Sequence, residues 1–468
     1  MSGFDLSEPR RLHIVGVGGA GMSGIATVLV RMGHQVSGSD LRDSATLARL
    51  RLLGVEASVG HDAANVANGV DAVIISTAIP RQNPEVVEAE RRGVRVYRRA
   101  EALAALVATR RSVAVAGSHG KTTTSSMLAL CLRAAGWHPS FLIGGDLNEV
   151  GSNAAYDDGE WLVVEADESD GTFLELGPHA AVVTNIEADH LDHYGDLDAL
   201  VQAFGTFLAN VPGPRIVSAD DPLTAALAAR IAGVATFGVS DRADYRIVGY
   251  VGGRTGSRFE LTYGDELVGV IELPVPGAHN AANAAAAAAM ATELGVPFDA
   301  VRSALGGFAG VARRFQARGE IDGVTLIDDY AHSPGEVAAM IAAAREGDWG
   351  RIIVVFQPHR YSRTAHLWRD FADSFVGADA VVLTDVYSAG EAPVPGISGY
   401  LLVRSVLDAH PSLAVTYLPK RADLVDHVLV ATRPGDLVLT LGAGDLTTVP
   451  EDWLVRAAGR SGSVIGVS

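Results

Sequence analysis

A single cysteine, Cys131, excludes an internal disulfide framework in this chain of 468 residues. That usage suits a reducing cytoplasm. Cys131 falls on the apolar side of a helical stretch and reads as core rather than nucleophile. Lysine is almost missing: the chain has Lys121 and Lys420, and its other basic residues are arginines. Positive charge is in deficit, with 37 Lys and Arg against 55 Asp and Glu and a formal net charge of −18. Such a balance argues against a nucleic-acid or anionic-membrane partner. Anionic ligands then require local devices, such as glycine loops and arginine clusters. No uncharged apolar run approaches membrane-spanning length. The alanine-rich stretch 281–291 is too short and reads as a buried helix. The N-terminus is short and polar and shows no signal-peptide pattern.

What is present suffices for several hydrophobic cores, at 48% hydrophobic and 20% charged residues. Length alone suggests about three domains. The chain is organised around 112–124. There an apolar β-rich run ends in Gly117-Ser118-His119-Gly120-Lys121-Thr122-Thr123, and a helix-compatible segment, 125–135, follows. This is the strand–loop–helix context of a phosphate-binding loop, whose backbone N–H groups and helix N-terminus face phosphates. In that reading Lys121 reaches the β and γ phosphates and the Thr122 hydroxyl holds Mg²⁺. The spacing is shorter than the general pattern, since Val115 stands where its first glycine falls. A lysine placed here, in a chain that uses arginine elsewhere, is not surface filler.

Ahead of this loop, a buried strand at 12–17 runs into Gly16-Val17-Gly18-Gly19-Ala20-Gly21 and a helical pattern at 22–32. A second strand at 35–38 ends at Ser39-Asp40. The pattern is a dinucleotide fingerprint with an acidic residue about 20 positions on. Its physical content is narrower: a diphosphate sits on the helix N-terminus and Asp40 accepts from a ribose hydroxyl. A UDP group meets both conditions as well as NAD does. Strands at 55–59, 72–76 and 94–97 alternate with helical stretches at 84–92 and 100–109, which predicts a parallel sheet. Ser76 and Thr77 follow a strand end, where open α/β sheets bind ligands. His61 lies in a polar loop nearby in sequence.

After the phosphate loop, strand 161–165 ends in Glu165-Ala166-Asp167-Glu168-Ser169-Asp170, the usual position of a second Mg²⁺ ligand. Strand 180–184 leads to Asn185-Ile186-Glu187-Ala188-Asp189-His190, with His190 a candidate for a second divalent ion. Segments 245–250, 258–263 and 267–273 alternate in polarity and read as a small antiparallel sheet. Asn280 and Asn283 share one face of the helix that follows. They serve either as N-cap residues or as purine contacts, and spacing does not choose. In the last third, strands at 324–327, 351–356, 380–384 and 436–441 each end in a polar turn-forming cluster. In a doubly wound sheet those four ends share one edge. His359 and the arginines there suit a carboxylate or phosphate.

Taken together, Gly-Ser-His-Gly-Lys-Thr-Thr-Thr, Glu-Ala-Asp-Glu-Ser-Asp, Asn-Ile-Glu-x-Asp-His and His-Asn-x-x-Asn resemble the Mur ligase family of ATP-dependent amide-forming enzymes. Gly21-Met22-Ser23-Gly24, the 356–364 cluster and the 385–391 cluster resemble the branch that attaches L-alanine to the carboxylate of UDP-N-acetylmuramate. The resemblance covers nearly the whole chain. It implies an α/β protein of three domains. These are a Rossmann-like UDP-sugar domain at 1–110, a P-loop ATPase domain with the small antiparallel sheet at 111–315, and a Rossmann-like amino-acid domain at 316–468. By position it implies that Gly18, Gly19, Asp40, His61, Ser76 and Thr77 hold the UDP-sugar. The loop Gly117, Ser118, His119, Gly120, Lys121, Thr122 and Thr123 holds ATP, and Asn280, Asn283, Arg314 and Asp329 contact the nucleotide. Thr122, Glu165 and His190 hold Mg²⁺ or Mn²⁺. Tyr330, His332, His359, Arg360 and Arg363 form the L-alanine pocket, with Lys121, Glu165, His190, His332, His359 and Arg360 as the catalytic set. The implied chemistry is an acyl-phosphate intermediate in peptidoglycan precursor synthesis, in the cytoplasm. Two departures stand out. Ser333 replaces the second histidine common in the Asp-Asp-Tyr loop, and no lysine lies near His190 along the sequence. Two other readings are an NAD-dependent oxidoreductase and the related ligase that attaches a recycled tripeptide. The first leaves the phosphate loop unexplained; the second needs a roomier C-terminal pocket.

Overall fold

A computed structural model describes residues 4–461. Three sheets organise them. The first has five parallel strands in the order Glu56–Val59, Gln35–Asp40, Arg11–Val15, Ala72–Ile75 and Arg95–Arg98. Chain order reverses between Arg11–Val15 and Ala72–Ile75, so the glycine loop and Ser76-Thr77 flank a topological switch point.

The second sheet has ten strands. Strand Arg111–Ala116 lies in its interior, between Ala180–Val183 and Trp161–Glu165. Register aligns Val115 with Glu165 and Ala116 with Val183. The acidic strand end and the Asn185–His190 segment are thereby brought beside the phosphate loop. Residues 113–116 have no exposed surface, as expected for a parallel strand covered on both faces.

Two expectations are corrected here. Strands Tyr245–Gly253, Gly256–Tyr263 and Glu266–Leu273 do not form a separate sheet. They extend the central one, because Tyr245–Gly253 pairs in parallel with Val234–Gly238. Their two-residue connections do require antiparallel pairing among themselves. The helix after the phosphate loop runs Lys121–Ala134, four residues earlier than expected from its sequence. Thr122–Ser126 are weak helix formers, but their side chains are buried and tertiary packing overrides propensity.

The third sheet is ordered Gln316–Ile321, Val324–Asp329, Asp436–Leu441, Arg351–Phe356, Ala380–Leu383 and Ala414–Tyr417. Only its first pair is antiparallel. Leu441 aligns with both Asp329 and Phe356, and Phe356 with Leu383. The four polar clusters foreseen at one edge therefore share it.

By packing, the chain forms two compact units. One contains the chain up to Gly249, with Phe259–Glu272 and Ala282–Phe308; the other contains Tyr250–Arg258, Leu273–Ala281 and the chain from Ala309. The first two sheets fall in one unit because a continuous apolar core joins them, from Leu12 and Ile25 through Leu142 and Ala154 to Val183 and Phe204. Helix Ala20–Arg31 lies on the pair Ser140–Leu147 and Ser152–Ala155. A Cβ on its Gly24 would sit 3.1 Å from Leu142. Among the described residues no helix is long and apolar enough to cross a membrane.

Candidate active site

The phosphate loop is shaped by two glycines that a side chain would disrupt. Gly117 has φ +126°, and a Cβ there would lie 2.2 Å from Thr184 Oγ1. Gly120 has φ +81° and would meet Asn283 Oδ1 at 2.4 Å. Asn185 closes the loop: its carbonyl accepts from Ser118 N–H at 3.0 Å and its side-chain oxygen from His119 N–H at 2.8 Å. His119 reaches Glu187 through Nε2 at 3.1 Å.

Lys121 donates to both oxygens of Glu168, at 2.8 and 3.0 Å, and to the Gly117 carbonyl at 2.6 Å. Burial by itself would push its pKa down. Glu168, Glu165 and Asp167 outweigh that and hold the ammonium above its ordinary value. The Thr122 hydroxyl donates to Glu165 Oε2 at 2.9 Å, which also accepts from Gly144 N–H at 2.8 Å. His190 Nε2 is 3.9 Å from Glu168 Oε1 and 3.5 Å from Asp189. The structure brings Lys121, Thr122, Glu165 and His190 together. Glu168, which meets both Lys121 and His190, was missed. A nearly buried lysine requires a carboxylate, and the acidic run after Glu165 was the signal.

The two asparagines separate. Asn280 Nδ2 donates to the Pro276 carbonyl at 2.7 Å, a local bond at the start of its helix. Asn283 Oδ1 accepts from Thr124 at 3.3 Å and lies against Gly120. Asn283 is therefore part of the loop's packing.

At the first switch point, Gly16 and Val17 N–H donate to the Ser39 carbonyl, and Gly18 N–H donates to Asp40 Oδ2 at 3.0 Å. Asp40 therefore holds the glycine loop. His61 belongs to a buried network: Nδ1 meets Ser39 Oγ at 2.9 Å, and Ser39 donates to Glu85 Oε2 at 2.6 Å. Glu85 is wholly buried and also accepts from Asn65 at 2.6 Å. Burial raises its pKa, but bonds from His13, Ser39 and Asn65 bring it down to about 2.

In the second unit, Asp329 ends strand Val324–Asp329 and accepts from Phe315 and Ala331 N–H, each at 2.7 Å. Burial still raises its pKa to about 6, against Arg314. Arg313 and Arg314 stand over the Tyr330 ring at 4.7 and 5.4 Å. His332 lies edge-on to Tyr330, and the His332 and His359 rings are 5.8 Å apart. His359 stacks on Tyr387 and meets Arg363 at 3.3 Å. Burial, with His332, Arg363 and Arg360 nearby, lowers His359 to about 4. His332 is lowered too, mainly by burial. Arg360 adopts φ +68° and its N–H donates to the Tyr387 carbonyl at 2.8 Å. Tyr330, His332, His359 and Arg363 therefore form one cluster. Tyr387 is the member that sequence reasoning left out, although it lies in the 385–391 cluster.

Three family models match most of the chain: "Mur ligase family, catalytic domain" over 11–111, "Mur ligase middle domain" over 115–291, and "Mur ligase, glutamate ligase domain" over 313–444. The UDP-N-acetylmuramate–L-alanine ligase of Bradyrhizobium sp. (strain ORS 278) is 49% identical over 93% of this chain and 95% of its own. That of Acidothermus cellulolyticus is 48% identical over 95% and 94%. The chain belongs to the Mur ligase family.

The Mur ligase fold follows in structure as well. The crystal structure of UDP-N-acetylmuramate-alanine ligase MurC from Thermotoga maritima superposes with TM-score 0.83 at 30% identity, over 97% of this chain and all of that one. A murein peptide ligase from Psychrobacter arcticus shares the fold at TM-score 0.69 and 23% identity, covering 98% and 100%. Three α/β domains are thus established for this Mur ligase, and an NAD-dependent oxidoreductase is set aside. The departure at Ser333 has a local explanation. Ser333 is the N-cap of helix Pro334–Arg345: its hydroxyl accepts from Glu336 N–H, and Glu336 accepts in return from Ser333 N–H. A serine is a strong N-cap residue, whereas histidine is not among the preferred ones.

Proposed function

We propose that this Mur ligase joins L-alanine to the carboxylate of UDP-N-acetylmuramate, cleaving ATP to ADP and phosphate, for peptidoglycan precursor synthesis. The observation that carries the reading is near-full-length identity of 45–49% to curated ligases of that name, together with the phosphate loop gathered around Lys121. The proposed domain limits are 1–110, 111–315 and 316–468.

Gly18, Gly19, Asp40, His61, Ser76 and Thr77 take the UDP-sugar at the first switch point. Residues 117–123 take the ATP phosphates, with Asn280, Asn283, Arg314 and Asp329 on the nucleotide side. Asp329 acts by fixing the backbone on either side of it, since both its oxygens accept N–H groups. The Thr122 hydroxyl and Glu165 carboxylate form a hard oxygen pair of the kind that suits Mg²⁺, or Mn²⁺. Their present mutual bond is what an ion between them would replace. His190 is the candidate ligand for a second ion. Bound metal supplies charge neutralisation where two anions meet.

The chain's own residues do the rest. Lys121, kept cationic by its acidic neighbours, stabilises charge on the transferring phosphoryl group. The muramyl carboxylate attacks the γ-phosphorus and ADP leaves; the alanine amine then attacks the acyl carbon and phosphate leaves. That amine must first lose a proton. His332 and His359 are neutral at pH 7 and can accept it. Arg360 and Arg363 pair with the alanine carboxylate beside Tyr330. A cytoplasmic location agrees with the single buried cysteine.

The test is phosphate release from ATP with Mg²⁺ and UDP-N-acetylmuramate, adding one amino acid at a time. Release that needs both the UDP-sugar and L-alanine, and disappears in Lys121→Ala, supports the reading. Release with a tripeptide but not alanine moves the assignment to the recycling ligase.

A further inference from the structure

Between the helix that begins at Ala20 and the acidic strand end at Glu165 lies a cavity of about 140 Å³. Ile25, Leu103, Leu142 and Val164 give it apolar walls, Glu165 and Asp167 acidic ones. Arg99, the first residue of helix Arg99–Val107, is the one basic side chain in its lining. Its position is unusual electrostatically, because a cation near a helix N-terminus opposes the helix dipole. Gly21 in the first turn of helix Ala20–Arg31 makes room for it: a Cβ there would lie 3.2 Å from Arg99 Nη1. Among the described residues Arg99 pairs through Nη2 alone, with Asp167 at 3.3 Å and Asp170 at 3.6 Å. Nη1 and Nε donate no hydrogen bond to the described residues, and Nη2 donates to Asp167.

We infer that Arg99 binds the muramyl carboxylate of the UDP-sugar, guiding it from the glycine loop to the phosphoryl-transfer site. The inference rests on the function proposed above and names a residue that neither the motifs nor the family resemblance singled out. A UDP-sugar whose diphosphate sits at Gly18 and Gly19 must extend its carboxylate toward Glu165, Asp167 and Glu168. Those acids repel it. A guanidinium with two free donor positions offsets the repulsion and fixes the carboxylate in a planar, two-point contact. The tie to Asp167 and Asp170 holds the fork in place before substrate arrives.

The experiment compares UDP-N-acetylmuramate with UDP-N-acetylglucosamine, which lacks the lactyl carboxylate, by calorimetric titration of the full chain and of Arg99→Ala and Arg99→Lys. The intact chain should bind the muramyl compound at least tenfold more tightly. Arg99→Ala should erase that preference while KM for ATP stays within twofold, and Arg99→Lys should restore part of it. A preference that survives in Arg99→Ala overturns the inference, and so does an equal loss for both sugars, which would place Arg99 on the diphosphate. A fall in thermal stability with the preference intact reduces Arg99 to a structural tie and likewise overturns it. If the intact chain binds neither sugar, the proposed function fails instead.

Discussion

Gly117 and Ser333 illustrate how much a single position carries. At Gly117 a methyl group faces both a forbidden φ and the Thr184 hydroxyl 2.2 Å away. Gly117→Ala should therefore lose at least about 2 kcal/mol of stability and abolish the thermal shift on adding ATP. Differential scanning calorimetry with and without nucleotide checks both. Ser333→Ala removes the N-cap of helix Pro334–Arg345, at a cost of about 1 kcal/mol. Alanine-dependent phosphate release per enzyme should stay within twofold; a large fall in kcat would give Ser333 a part in the chemistry.

Strands set the next level. Glu165 stands beside Val115 because their strands are in register, and Glu168 reaches Lys121 from the turn that follows. Glu168→Ala leaves an ammonium buried without its bidentate partner, and breaking such a pair costs about 3 kcal/mol or more. Urea unfolding should show that loss in the unliganded chain. It should also show part of it recovered in saturating ATP, whose phosphates replace the carboxylate. Sequence periodicity located the strands flanking this loop. It did not reveal that the three strands at 245–273 continue the central sheet, since pairing partners distant in the chain leave no local pattern.

Across the protein, buried titratable groups make stability depend on pH. His279 is lowered to about 4 by burial and the nearby Arg314, and His359 also lies at about 4. Unfolded, both titrate near 6.5. The unfolded chain binds more protons between those values, so stability is complete above pH 6.5 and falls toward pH 4. Glu85, lowered from 4.5 to about 2, adds a further loss below pH 4.5. Asp329 acts oppositely: raised from 3.8 to about 6, it makes folding less favourable as pH climbs through that interval. Denaturant midpoints measured from pH 4 to 7 should therefore rise with pH. The rise should be shallower in His279→Gln and steeper in Asp329→Asn.

The amino-acid order alone carried the phosphate loop, the glycine turn at 16–21, the strand ends that bear polar clusters, and the family. These are local patterns, read from neighbours a few residues apart. Tertiary structure decided what local patterns do not encode. It tied Lys121 to Glu168, made Asp40 a brace for Gly18, and placed Tyr387 under His359. It also merged the first two sheets around one apolar core and set Arg99 in the cavity beside Glu165. Each of those contacts joins residues far apart in the chain, and only burial and strand register bring them within reach.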